Sequence, residues 1–94
     1  MLEFYHIRYL LLPTVKIKVK YNAQAALARC YLNAESTKEA EKIIKNRLLD
    51  LGWTIDYLEK LEPFSMQDYD PSDHTPTAIQ KGMEGKVAVD IEFW

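Results

Sequence analysis

At 94 residues and 11.0 kDa, the chain has room for one domain, spanning residues 1–94, built on one core. Its 48% apolar and 28% charged content excludes a disordered tail, and a net charge of −2 excludes an overall polybasic nucleic-acid binder. One cysteine, Cys30, excludes an internally disulfide-bonded scaffold and agrees with a reducing compartment.

In chain order, the first segment, His6 to Leu12, reads as extended, with a short helix as the alternative that its aromatic and leucine content allows. Its apolar run from Leu10 to Leu12 is bounded by Arg8 and Pro13, far short of the ~20 residues of a membrane helix. No membrane association is expected. Val15, Ile17 and Val19 then alternate with Lys16, Lys18 and Lys20, which predicts an amphipathic strand. Ala23-Gln24-Ala25 has the form of a signal-peptidase site, but those lysines occupy the place of the apolar core such a signal needs. Leu27-Ala28-Arg29-Cys30 fails as a lipoprotein signal because Arg29 stands where a small residue belongs. A cytoplasmic protein is expected.

Ala28, Cys30, Leu32 and Ala34 alternate with Arg29, Tyr31 and Asn33, the period of a half-buried strand. The alternative, a helix over the alanine-rich stretch from Asn22 to Leu32, lacks an apolar stripe. Ser36-Thr37-Lys38-Glu39 is a capping box, followed by Ala40, Ile43, Ile44, Leu48 and Leu51 on one helical face. Gly52 supplies a terminator, so the main helix is predicted from Thr37 to Leu51. Trp53, Ile55 and Tyr57 alternate with Thr54 and Asp56, a second flanking strand whose apolar phase continues at Leu61. Residues 62–75 read as loop. Thr75-Pro76 then opens a short second helix, 76–81, closed by Gly82. Val87, Val89, Ile91 and Phe93 alternate with Ala88, Asp90 and Glu92 and predict the last strand.

Together these elements predict an α+β fold. The expected form is a two-layer sandwich, with an antiparallel-to-mixed sheet of four or five strands under the main helix. Its strand–helix–strand centre resembles the ferredoxin-like class in that βαβ unit only, which implies nothing about activity.

Charge is unevenly spread. Residues 1–34 hold five basic groups and one acid, whereas residues 63–94 hold two basic groups and six acids. Opposite charges across paired strands stabilise a sheet, so the lysine strand is expected beside the Asp90/Glu92 strand. The sharper reading makes Lys16, Lys18 and Lys20 a binding stripe for phosphates or an acidic protein.

Candidate chemistry is sparse. Asp68, Asp70 and Ser72 echo a calcium loop, but Asp73 replaces its glycine and Ile79 its final glutamate. A solvated turn with no metal is the expectation there, and a weak or partner-completed metal site is the alternative. His6 and His74 lie in different segments without metal-ligand spacing, and His6, in an aromatic strand, is expected to be packed or edge-exposed rather than a ligand. Cys30, among small inward residues, reads as a buried thiol rather than a nucleophile. Glu59 and Glu62 look solvent-facing, and three glycines at 52, 82 and 85 cannot build a phosphate cradle. No enzyme and no cofactor are expected.

A small non-catalytic interaction or regulatory module, acting through a sheet edge or an exposed sheet face, is the functional expectation. Tyr31 and Trp94, phased opposite their apolar neighbours, join Lys16, Lys18 and Lys20 as candidate partner-binding residues. The expected partner is a second copy in a homodimer, or another protein. The alternative is a nucleic-acid-binding module using the basic N-terminal strands, where Phe4, Tyr5, Tyr9, Tyr21 and Tyr31 supply stacking groups.

Overall fold

A computed structural model describes residues 2–72 and 74–94. In chain order it contains β1 (Glu3–Pro13), α1 (Val15–Tyr21), β2 (Ala26–Ala34), α2 (Thr37–Asp50) and β3 (Trp53–Pro63). A 3-10 turn at Met66–Asp68, α3 (Pro76–Met83) and β4 (Ala88–Phe93) follow. The strands form one four-stranded sheet in the order β3-β1-β2-β4, every neighbouring pair antiparallel. The described residues thus form a small α+β fold with an antiparallel sheet and three α-helices. Because β1 lies between β2 and β3 and opposes both, those two run parallel, joined by α2.

The main helix forms where its capping box sets it. Ser36 Oγ accepts the Glu39 amide at 3.1 Å, while the Glu39 carboxylate reaches back to the Glu35 amide at 3.1 Å. Ala40, Ile44 and Leu48 of α2 are fully buried against Tyr5, Ile7, Tyr9 and Leu11 of β1 and Ala28, Cys30 and Leu32 of β2. The small residues Ala28, Cys30 and Ala34 of β2 are fully buried on this face, the one the alternation predicts.

Helices occupy both faces, which departs from a two-layer sandwich. Residues of opposite parity, Phe4 and Tyr31, meet Ala78 and Ile79 of α3 in a second cluster with Phe64 and Ala88. Gly82 lies within α3 rather than closing it. A Cβ there would stand 2.9 Å from Phe4, from Tyr31 Cβ and from the Tyr31 carbonyl, so close packing selects glycine. The left-handed turn after the helix falls instead to Gly85, at φ +88°.

The predicted lysine strand is a helix. In α1 only Ile17 is buried, and Val15 and Val19 are each 79% exposed. Both hydrogen-bonding sides of β1 are already taken by β2 and β3, so the chain leaving it has no adjacent ladder to join. A helix satisfies its own backbone and advances only ~1.5 Å per residue, which suits a compact return to β2. Thr14 anchors the start, its amide and hydroxyl both donating to the Gly52 carbonyl at 3.1 and 2.8 Å. Asn22 ends the helix in the left-handed region at φ 52°. β2 therefore takes the place expected for the lysines beside β4. Arg29 stands opposite Asp90 and reaches Glu92 at 3.4 Å, so the basic and acidic ends of the chain still meet.

Candidate interaction surface

The sheet has two outer edges, and they differ in regularity. Along β3 the register with β1 shifts twice, leaving Glu59 and Asp56 as extra residues without a β1 partner. Charged bulges on an edge strand obstruct further pairing. They also overturn the simple alternation read from the sequence. Leu58 joins Ile55 and Leu61 on the core face, while Tyr57 turns to the opposite face and is 57% exposed. β4, by contrast, keeps an unbroken register with β2 from Ala88 to Phe93. Its outer side borders a groove of about 350 Å³ between β4 and α3, lined by Thr77, Lys81, Lys86, Val89 and Asp90. The Thr75 hydroxyl donates to Asp90 Oδ2 at 2.6 Å and ties the start of α3 to β4.

The face carrying α3 is only partly covered. Beyond the helix, the adjacent Leu10, Leu27 and Tyr57 form an apolar strip with the exposed Leu12. It is bordered by Arg8, paired to Glu59 at 2.8 Å, and by Arg29 with Glu92. Tyr21, Leu51 and Phe93 form the rim of a separate apolar cleft at one end of the molecule, floored by Ile17 and Trp53.

The residues singled out by sequence do not converge on one site. Lys16, Lys18 and Lys20 lie on α1, where helical geometry puts Lys16 and Lys20 on one side and Lys18 on another. Lys20 Nζ sits 5.2 Å from the Tyr21 ring centre. Trp94 is 60% exposed and continues past β4 by backbone hydrogen bonds with Ala25, at 3.0 and 3.3 Å. Tyr31 is on the face expected of it but fully buried, because α3 and Phe64 cover that part of β2. As it is enclosed, Tyr31 offers no exposed contact surface.

One buried constellation escaped the sequence reading. His6 stands opposite Tyr31 across β1 and β2, with ring centres 5.0 Å apart. His74 packs edge-on to His6 at 4.6 Å, and its Nδ1 shares a 2.9 Å hydrogen bond with the Tyr31 hydroxyl. Phe64 closes the group, and Glu62 Oε1 lies 3.7 Å from His6 Nδ1. The only signal in the sequence was the parity that His6 shares with Phe4. Among the described residues no group of three or more His, Cys, Asp or Glu side chains could hold a metal ion. In the acidic loop, Ser72 donates its amide and hydroxyl to Asp70, which holds that carboxyl below its usual range. Asp73, from the same calcium-loop echo, lies outside the described residues. Cys30 is fully buried, and burial pushes its thiol up to about 12. No described helix is long and apolar enough to cross a membrane.

Comparisons with protein-family models, with curated proteins and with solved structures found no match to this chain.

Proposed function

We propose that this chain is a small, non-catalytic protein–protein interaction or regulatory module of the cytoplasm, acting through the β4 edge of its sheet. The observation carrying this reading is the contrast between the doubly bulged β3 and the regular, groove-flanked β4. An open strand edge offers backbone donors and acceptors in a row, and a flanking groove adds side-chain selectivity. The apolar strip around Tyr57 is the second available surface. The β2–α2–β3 unit, two parallel strands separated by β1, supports a ferredoxin-like reading limited to that unit. Nucleic-acid binding draws less support, because Lys16, Lys18 and Lys20 sit on a short helix rather than beside sheet aromatics.

Comparative capture from the native host tests the reading, using the tagged chain and two exposed variants, Glu92→Lys at the edge and Tyr57→Ser on the open face. A partner lost with Glu92→Lys and kept with Tyr57→Ser supports the edge. Equal recovery by all three folded proteins overturns the reading. Nucleic-acid affinity falling steeply with salt would favour the alternative.

A further inference from the structure

We propose that the partner seated on β4 is a second copy of this chain, paired antiparallel about a two-fold axis through Val89. The proposal rests on the edge reading above and adds a register to it. A two-fold axis normal to the sheet places equivalent faces on the same side, so residues equidistant from the axis stand directly opposite one another. Each centre on β4 from Ala88 to Glu92 can then be judged by the charges it brings together.

Centred on Asp90 or on Glu92, the pairing sets that acid against its own copy. With Ile91 at the centre, Asp90 meets Glu92 of the other copy twice. A centre on Ala88 opposes Glu84 to Glu92 and asks Lys86 to pair with Asp90, which Thr75 already occupies at 2.6 Å. Centring on Val89 removes every like-charge opposition. Lys86 then faces Glu92 of the other copy, twice by symmetry, while Val87 faces Ile91 and Val89 meets itself.

Both charged groups are available for this exchange. Lys86 and Glu92 have side chains 64% and 70% exposed, and their contacts within the chain are long, 3.8 Å to Glu84 and 3.4 Å to Arg29. Val87, Val89 and Ile91 are half-buried where the core meets the sheet edge, so apposing them continues the core across the two-fold axis. The groove beside α3 leaves space next to the added strand. The result is a continuous eight-stranded sheet.

Sedimentation velocity across the micromolar range tests this with the wild type, Lys86→Glu, Glu92→Lys and an equimolar mixture of the two variants, each checked for fold by circular dichroism. We expect the wild type to run at the mass of two chains. Each single variant should dimerise at least roughly tenfold more weakly, because like charges then oppose each other at both ends. The mixture should recover the two-chain mass, since every 86–92 contact again joins opposite charges. Hydrogen exchange on the wild type should show concentration-dependent protection of β4 amides. A monomer throughout the range overturns self-pairing, while host capture still reports separately on the edge reading. A dimer that is not restored by mixing, or protected elsewhere than β4, overturns the register.

Discussion

The helices α1 and α2 flank β2 in sequence, yet they are held in opposite ways. α2 carries its own instructions: a capping box, an apolar stripe and a buried face of Ala40, Ile44 and Leu48. The seven residues of α1 carry instructions for a strand, lack a side-chain cap and bury only Ile17. Its helical state is imposed from outside, by the Thr14–Gly52 anchor, the Asn22 terminator and the absence of an unfilled position beside β1. Local pattern decides an element when the fold leaves a place for it. Where the neighbouring positions are filled, topology decides.

The sharpest way to expose this difference is core truncation. Ile44→Ala in α2 should destabilise by about 3 kcal/mol, within the range for buried aliphatic deletions, measured by urea unfolding. Ile17→Ala should cost about 1–2 kcal/mol, because α1 contributes little more than that one side chain. Equal losses would show that the two helices are held alike.

Gly52 joins the two regions, since its carbonyl anchors Thr14 and its chain position follows α2. At φ +93°, with a Cβ that would fall 2.5 Å from Ile17 Cγ1, Gly52→Ala should cost about 2 kcal/mol. Combining it with Ile17→Ala should relieve part of the clash, so a double-mutant cycle should give less than the sum of the two losses. Ser36→Ala, which removes the cap of α2, should lower stability by about 1 kcal/mol. An unchanged denaturation midpoint would show that α2 is not locally encoded.

The smallest effect has a distinguishing sign. Val19 is 79% exposed on α1, so Val19→Ala should stabilise the protein by roughly 0.5 kcal/mol through helix propensity alone. In a strand the same change would destabilise. Thermal unfolding resolves the two.

Much of the sheet was legible because its strands alternate and its connections are marked. Ser36, Gly52 and Thr75-Pro76 punctuate the chain where helices start or stop. What could not be read was any feature that depends on which face a distant element covers. Tyr31 was correctly phased opposite Cys30, but its burial depends on α3, more than forty residues later. The His6–Tyr31–His74 group likewise joins three separated segments, and only the pairing of β1 with β2 brings its first two members together. Bulges were equally invisible. Asp56 and Glu59 each add one residue, so Ile55, Leu58 and Leu61 fall on one face at intervals of three, a spacing unlike that of a regular strand, and Ile55 and Leu61 pack against the core while Leu58 stays 37% exposed.

Those two bulges also bear on how far assembly can proceed. A sheet with two receptive edges can recruit copies at both ends and grow without limit, as fibres do. Here β3 presents interrupted pairing and projecting acids, so the bulges leave β4 as the one regular edge. Joining two such molecules through β4 consumes both receptive edges at once and leaves only guarded ones outside. A dimer paired as proposed would therefore be finite, and restoring an uninterrupted β3 by deleting Asp56 and Glu59 would remove the stop.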